Sequence, residues 1–427
     1  MDSEQGGTET RLPAILRGFD LTDQQAFTRG IPYALFARLR SEAPLFLHPP
    51  GQSVDGEPFW VLTRHADITA AAADPAYSAQ GGGGRQGGGS HLDDLEAGGL
   101  PGVLFGMMDD PRHALVRALL LPWVTGQEAL GLEKGLRELA AELTATAVAR
   151  KRADFMAEVA EEFAILSMAL LLGVPKEDWA QLLDWGRSCL GFLNRRTGLP
   201  DERSVATFEA MQGYFTGLLE AKRARPGHDI ATVLATGDIA HEGGAEPPLS
   251  AAERAVNLTV LMVTGLEQPR NTIAGAVLAF AEHPEQWQAL RADRSLMPTA
   301  IEEVLRWNPP NPYNRRTATR DMELHGRTIK AGDKVTFWWP AANRDPSVFP
   351  DPDRFDIRRD PNPHVSFGHG THYCLGDETA RLQIRLVLEE LLERAAHIEP
   401  AGEVVWGANN KHTVLLDVPL AFTAASR

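Results

Sequence analysis

Residues 367–381 read FGHGTHYCLGDETAR, and this stretch decides how the rest of the chain is interpreted. It places Cys374 between a loop that contains Gly368 and Gly370 and a run of residues that predicts a helix. Backbone amides at the start of a helix favour negative charge, so this setting would lower the pKa of the thiol and stabilise a thiolate. Glycines at 368, 370 and 376 would also let the backbone come close to a flat cofactor.

Three interpretations of this cysteine compete. A buried structural cysteine is the usual fate of a lone Cys, but it does not need the glycines around it. A zinc site could use His369, His372 and Cys374, yet no second cluster of ligands lies nearby in the sequence to complete it. Ligation of haem iron by a thiolate accounts for the whole segment.

Composition and charge narrow the classes of function. The chain has 427 residues and is 43% hydrophobic, which is enough for a large buried core. Its formal net charge of −15 would repel a phosphate backbone, so nucleic acid is not expected as a partner. Two cysteines in so long a chain are typical of a reducing compartment.

The same sequence predicts a cytoplasmic protein without a membrane partner. The N-terminal residues MDSEQGGTET contain neither a basic segment nor an apolar core, so they do not resemble a signal peptide. The longest apolar stretch, around residues 165–174, is about half the length that a membrane span needs.

Periodicity predicts a mainly helical protein. Ala and Leu recur at three- and four-residue spacing from about Glu128 to Arg225. A long helix is predicted from Ser250, where Ser250 and Glu253 fit a capping box, to about His283. Pro269 lies in its interior and removes a backbone hydrogen bond, so the helix must be compensated or locally open there.

Other segments complete this outline. A short helix is predicted over residues 298–307, and a last one from just after Cys374 to about residue 394. Residues 317–329 and 330–339 carry β-forming residues separated by turn pairs, which predicts a minor antiparallel sheet. Residues 79–91, AQGGGGRQGGGSH, predict a flexible loop that covers or opens something, because no Gly-Lys-Ser/Thr follows to make a phosphate cradle.

The motif Phe-Gly-x-Gly-x-His-x-Cys-Leu-Gly resembles the haem-binding signature of the cytochrome P450 family, and Ala380-Arg381 continue it. Thr379 departs from the leucine that is usual there, which affects packing and not ligation. Glu303 and Arg306 resemble the family's Glu-x-x-Arg pair, which a helix makes neighbours. Arg354, in FPDPDRFD, resembles the third member of that network.

The resemblance extends from GIPYALFARLRSEAPL to LLDVPL and implies one cytochrome P450 domain over residues 1–427. The implied fold is mainly α, with a long central helix over the haem and small antiparallel β regions. The implied cofactor is heme b (iron protoporphyrin IX), with Cys374 as the iron ligand. Cations at four positions would meet its two propionates. The residues that the resemblance assigns to the cofactor are His113, Arg117, Arg316, Phe367, Gly368, His372, Cys374 and Gly376.

The long helix departs from the family pattern at the oxygen side of the haem. Family members usually carry Ala/Gly-Gly-x-Asp/Glu-Thr, whose acid and alcohol relay protons. Here Gly265 and Glu267 match, but Gln268 stands in place of the threonine and Pro269 follows it. Glu267 is predicted to gate protons, whereas an amide relays them poorly. Gln268 therefore indicates either a water or substrate hydroxyl in place of the alcohol, or different chemistry.

The leading hypothesis is oxidation of an apolar or aromatic small molecule in secondary-metabolite biosynthesis. Electrons would come from a ferredoxin or flavodoxin that docks on a basic patch near the cysteine. Predicted substrate contacts are Leu261, Thr264, Leu266 and Asn311, and the predicted patch contains Arg112, Arg358, Arg381 and Arg385. Two alternatives remain: a haem-thiolate enzyme for coupling, cyclisation, isomerisation or nitrene-type transfer without conventional dioxygen activation, and a non-catalytic haem protein that binds a ligand.

Overall fold

Helices dominate the computed structural model of the chain, which describes residues 12–53, 55–96, 99–239 and 246–425. The helices are α1 (Tyr33–Glu42), α2 (His65–Ala73), α3 (Arg112–Leu120), α4 (Gly126–Gly131), α5 (Glu133–Ala149), α6 (Glu161–Leu172), α7 (Trp179–Ser188), α8 (Glu202–Ala224), α9 (Ile230–Thr236), α10 (Ala251–Glu282), α11 (Pro284–Ala292), α12 (Met297–Trp307), α13 (Trp339–Ala342) and α14 (Asp377–Arg394).

The strands are short. They are β1 (Leu45–His48), β2 (Phe59–Leu62), β3 (Tyr77–Ser78), β4 (Gly87–Gly88), β5 (Leu95–Glu96), β6 (Arg152–Asp154), β7 (Tyr313–Ala318), β8 (Met322–Leu324), β9 (Arg327–Ile329), β10 (Lys334–Trp338), β11 (Ala395–Pro400), β12 (Val405–Trp406), β13 (Leu415–Asp417) and β14 (Pro419–Ala424). None of the described helices is both long and apolar enough to cross a membrane.

The central element is α10, which begins and ends as predicted. Its capping box is present, because the Ser250 hydroxyl accepts from the Glu253 amide at 3.1 Å and the Glu253 carboxylate accepts from the Ser250 amide at 2.8 Å. The helix continues through Pro269 without a break. Proline removes the hydrogen bond that residue 269 would make to the carbonyl of Gly265, so packing must hold the two halves together.

Two apolar cores lie along α10. Around its C-terminal half, Ile273, Val277 and Phe280 pack with residues of α5, α12 and α14. Around its N-terminal half, Leu258 and Met262 pack in a cluster with residues of α3, α6 and α8. The central helix is therefore enclosed by other helices over most of its length.

The main sheet has the strand order β1-β2-β10-β7-β3. The predicted antiparallel arrangement is correct for three of its four pairings, but β10 runs parallel to β2, with Thr336 opposite Val61. Periodicity could not reveal this pairing, because the two strands lie far apart in sequence. All five residues of β10 are buried, as expected for a strand covered on both faces.

The glycine-rich segment 79–91 is anchored at its start and its middle. The Ala79 amide donates to Asp109 Oδ1 at 2.9 Å. Arg85 donates to Asp94 at 2.8 Å and to the carbonyl of Gly332 at 3.0 Å, and it also contacts Glu57. Arg315 also pairs with Asp94, and Lys334 pairs with the neighbouring Asp55. These carboxylates are therefore neutralised by protein cations. The flexibility of this loop stays a prediction.

Candidate active site

The cysteine loop is closed by its own backbone. The Cys374 amide donates to the carbonyl of Phe367 at 2.8 Å, and α14 begins three residues after the cysteine. The next residue, Leu375, packs in the same apolar cluster as Leu266 of α10 and Val116 of α3. The loop is therefore held against both helices.

Burial raises the pKa of the Cys374 thiol to about 11, and a hydrogen bond from the Gly376 amide opposes this increase. The helix start and the amide alone therefore do not produce a thiolate at neutral pH, contrary to what the sequence suggested. A cation at the sulfur would be needed to displace the proton. The half-buried side chain leaves room for one.

The glycines of this loop serve different purposes. Gly370 has φ +73°, and a Cβ there would lie 2.3 Å from the carbonyl oxygen of Ala72 at the end of α2. That glycine is required by a neighbouring helix and not by a cofactor. Gly376 is different, because no atom lies within 4 Å of the position its Cβ would take. The open space beside Cys374 can accept a flat group.

Four side chains that can carry positive charge gather near the cysteine loop. The imidazole rings of His113 and His372 lie 4.1 Å apart, and Arg117 donates to the carbonyl of Tyr373 at 2.6 Å. Burial lowers the pKa of His372 to about 2, and Arg316, His113 and Arg117 lower it further. The two histidines are therefore neutral in the absence of an anion, and the positive charges of Arg117 and Arg316 lie beside them without a carboxylate partner among the described residues.

One buried nitrogen of this cluster has no protein partner. His113 Nδ1 lies 3.2 Å from the Asp110 carboxylate and donates to it, whereas Nε2 is buried and makes no hydrogen bond within the described residues. Arg316 is only 7% exposed, and burial lowers its pKa to about 10. Two carboxylates, as in haem propionates, would neutralise the arginines, and they would favour a protonated His113 whose Nε2 donates to one of them. The residues present fit that cofactor.

The alternative of a zinc site has no support in the part of the chain that the structure describes. His369, His372 and Cys374 do not come together as metal ligands there. The His372 ring instead contacts the His113 ring at an angle of 35°, and His369 is exposed.

On α10, one stripe of residues is less buried than the rest. Leu261 and Gln268 are half-buried and Thr264 is exposed, at a spacing that places all three on one helix face. The predicted contact of Leu266 is wrong, because Leu266 is only 2% exposed and packs in the core on the other side of the helix. Asn311 lies before β7, where its side-chain amide meets Asn314 at 3.0 Å.

Glu267 is fully buried between two arginines. Its carboxylate accepts from Arg195 at 2.9 Å, from Arg270 at 3.1 Å and from the Asn271 amide at 2.8 Å. Burial by itself would raise the pKa of Glu267, but Arg195, Arg270 and the Asn271 hydrogen bond hold it at about 2. Glu267 is therefore a carboxylate acceptor in this conformation, and its role as a proton gate stays a prediction that requires release from Arg195.

The predicted charge network around Glu303 is partly corrected. Arg306 makes two hydrogen bonds of 2.8 Å to the Glu303 carboxylate, and both side chains are fully buried. The predicted third member, Arg354, is wrong, because its side chain is 64% exposed and faces Asp356. Arg359, whose side chain is 9% exposed, reaches Glu303 at 3.2 Å instead. Arg354 contributes only its carbonyl, which accepts from Arg306.

The predicted basic patch is mostly neutralised. Arg112 pairs with Glu246 and Glu253, Arg381 with Glu302 and Asp377, and Arg385 with Glu133 and Glu389. Of the four predicted arginines, only Arg358 is exposed without an ion pair among the described residues.

Sequence reasoning missed three residues of this region: Arg195, Arg359 and His412. Arg195 lies between α7 and α8, and His412 lies between β12 and β13, where it contacts Gln268 at 2.8 Å. No motif marked either one, because each contact joins segments remote in sequence. Arg359 could have been considered from the sequence, because it is another arginine only five residues after Arg354.

Known proteins share this architecture. The family model described as Cytochrome P450 matches residues 220–420. A Mycobacterium tuberculosis (strain ATCC 25618 / H37Rv) protein that carries the name cytochrome P450 126 is 41% identical over 403 residues, 94% of this chain and 96% of that protein. Linalool 8-monooxygenase of Pseudomonas putida is 33% identical over 387 residues, 89% of this chain and 93% of that one.

A solved structure agrees in fold. Cytochrome P450 CYP268A2 of Mycobacterium marinum, in complex with pseudoionone, superposes with a TM-score of 0.82 at 28% identity and covers 93% of this chain and 97% of that one. The cysteine loop, the long helix and these similarities show that the chain belongs to the cytochrome P450 family. It is an oxidoreductase of the monooxygenase type with the cytochrome P450 fold, and the family binds haem through a cysteine thiolate.

Proposed function

We propose that Cys374 supplies the thiolate to the iron of heme b, whose two propionates meet His113, Arg117, Arg316 and His372. The observation that carries this proposal is the buried His113 Nε2, which has no described partner and lies among His372, Arg117 and Arg316. The open space beside Gly376 and the half-buried sulfur of Cys374 support it. Phe367 and Gly368, whose segment hydrogen bonds back to Cys374, would lie against the ring from the sulfur side.

Within this site the haem, when bound, supplies redox chemistry in which thiolate donation favours cleavage of an O–O bond. Side chains of α10 would control which substrate atoms and which protons reach the haem. Leu261 and the methyl group of Thr264 present apolar surface, because the Thr264 hydroxyl is occupied in donating to the Val260 carbonyl at 2.8 Å. Glu267 holds a negative charge beside that face and would accept a proton only after Arg195 moves away.

The proposed substrate is an apolar small molecule, oxidised in secondary-metabolite biosynthesis. An apolar substrate is supported by two similar proteins, one named linalool 8-monooxygenase and one solved in complex with pseudoionone. We further propose a ferredoxin or flavodoxin as the electron donor and a cytoplasmic location, which the two free cysteines support. Because most of the predicted arginines are paired with acids, docking would depend on shape as well as on Arg358.

The iron ligand can be tested by spectroscopy. Reduced protein with carbon monoxide is expected to show the strongly red-shifted Soret band of a thiolate-bound haem, and Cys374→Ala should lose it. Cys189→Ala is the matched control, because Cys189 is buried elsewhere and its sulfur faces the Trp185 carbonyl at 3.6 Å. Retention of the band in Cys374→Ala would contradict the proposal.

A second candidate function rests on Gln268. The amide stands in place of the family's alcohol and is engaged by His412, which favours coupling, cyclisation or another reaction that bypasses proton delivery to dioxygen. The deciding measurement is product formed per NAD(P)H consumed, for the wild type and for a double variant with Gln268→Thr and Pro269→Thr. Tightly coupled hydroxylation by the wild type, with no gain in the variant, would exclude this candidate.

A further inference from the structure

A histidine from the C-terminal part of the chain meets the central helix at its least typical residue. His412, between β12 and β13, has its Nδ1 2.8 Å from Nε2 of Gln268. Gln268 follows Thr264 by one turn on the half-buried stripe of α10. The imidazole therefore lies at the edge of the face proposed to receive substrate.

The backbone around His412 is fixed on both sides. Its amide donates to Asn409 Oδ1 at 2.8 Å. Thr413 donates through its amide to the Pro310 carbonyl and through its hydroxyl to the Pro309 carbonyl, each at 2.9 Å. Lys411 donates to the Tyr313 carbonyl at 2.7 Å. The imidazole is thus held in place by contacts that do not depend on a ligand.

The contact with Gln268 also fixes where the imidazole carries its proton. With the amide nitrogen of Gln268 facing Nδ1, the amide donates and Nδ1 accepts, which puts the ring hydrogen on Nε2. Burial lowers the pKa of His412 to about 4, and Lys411 and Arg195 lower it while Glu267 opposes them, so the ring is neutral at neutral pH. No hydrogen bond joins Nε2 to the described residues, and the His412 side chain is half-buried.

We propose that His412 anchors the substrate: Gln268 fixes its tautomer, and its Nε2–H donates to a carbonyl or hydroxyl oxygen on an otherwise apolar molecule. The proposal rests on the proposed function and adds a chemical requirement to it. A hydrocarbon of the same skeleton would leave this donor without a partner, so it should bind more weakly.

The test uses purified holoenzyme and two probes, pseudoionone and the hydrocarbon with a methylene in place of its carbonyl. Dissociation constants are read from the Soret shift, without turnover. The wild type is expected to bind the ketone at least about tenfold more tightly than the hydrocarbon. A ratio of about tenfold between the dissociation constants corresponds to the free energy lost when one buried donor is left without a hydrogen bond. His412→Phe should abolish this preference and leave hydrocarbon binding unchanged.

Two further variants separate the anchor from a structural role. Gln268→Met removes the donor that fixes the tautomer and should reduce the preference without disturbing the 407–413 loop. His397→Phe is the matched control, because Gln288 Nε2 and His397 Nδ1 form the same pair at 3.2 Å on the exposed surface. His397→Phe should keep the full preference, and the carbon monoxide spectrum reports whether each variant is folded.

The outcomes are distinguishable. Equal binding of both probes by the wild type, or an unchanged preference in folded His412→Phe, overturns the anchor and leaves the proposed function standing. If His412→Phe does not fold, an unchanged preference in Gln268→Met overturns the anchor. Failure of the wild type to bind either probe overturns the proposed substrate class and the anchor with it.

Discussion

At the scale of single residues, Arg359 and Arg354 lie five positions apart in one loop, yet the Arg359 side chain is buried and the Arg354 side chain is exposed. Arg359 contacts Glu303 and also donates to the carbonyls of Pro350 and Asp351, at 2.7 and 3.2 Å. It therefore ties the irregular loop before the cysteine to the buried carboxylate. Arg354 faces solvent, and only its backbone joins the network.

The two arginines are therefore expected to differ when replaced. Arg359→Ala should lower the free energy of unfolding by about 2–3 kcal/mol, because it removes charge-assisted hydrogen bonds around a buried carboxylate, and it should reduce haem content. Arg354→Ala should stay within about 0.5 kcal/mol of the wild type, as exposed side chains usually do. Urea unfolding and haem quantification test both variants, and equal losses would show that the network does not distinguish them.

Residues in contiguous motifs could be predicted from the sequence, and residues in irregular loops could not. Glu303 and Arg306 share a helix face, so their spacing alone brings them together. The loop that holds Arg354 and Arg359 has no repeating geometry, so the spacing of its residues does not say which side chain turns inward. Cys374 was evident from its local glycines, whereas Arg195 and His412 depend on contacts between remote segments.

At the scale of elements, the helices were predictable and the attachment of the glycine-rich loop was not. Capping residues and prolines located α10, α12 and α14, because these signals act within one turn. Composition predicted a flexible loop over residues 79–91, but the segment contains the two-residue strand β4, which pairs with β5. Composition also could not show that Arg85, in the middle of the segment, is held by Asp94 and the carbonyl of Gly332.

Arg85 is expected to control the mobility of that loop. Arg85→Ala should increase amide hydrogen exchange over residues 79–91, because it removes the side-chain contacts at the centre of the segment. Arg320→Ala is the control, because the Arg320 side chain is 64% exposed and its one described ion pair, with Asp74, is long at 3.6 Å. If exchange over residues 79–91 is unchanged in Arg85→Ala, Arg85 does not hold this segment closed.

At the scale of the whole molecule, acid sensitivity follows from buried carboxylates. The pKa of Glu267 is about 2, as is that of Glu302, where burial is outweighed by His364 and Arg381. Their ordinary value of 4.5 applies in the unfolded chain. Because the folded pKa values are depressed, their stabilisation is present above pH 4.5 and is lost as the pH falls through about 2.

Urea unfolding between pH 7 and pH 2.5 should therefore show stability that decreases below about pH 4.5. Glu267→Gln should lose about 3–5 kcal/mol at pH 7, because Arg195 and Arg270 keep their buried charges without this partner, and its stability should depend less on acid. Glu162→Gln, which breaks a surface pair with Arg187, should cost at most about 1 kcal/mol. A Glu267→Gln variant with the stability and acid profile of the wild type would contradict this account.

The parallel pairing of β10 with β2 has a consequence for how the chain is made. The Thr336 hydroxyl donates to the Trp60 carbonyl across 276 residues of sequence. Strand β2 is synthesised early, but its inner neighbour leaves the ribosome only after most of the chain, about 15–55 s later at about 5–20 residues per second. During that interval the β1–β2 hairpin exposes an unpaired edge to other nascent chains. The order of synthesis thus leaves this edge of β2 without its native partner until most of the chain has been made.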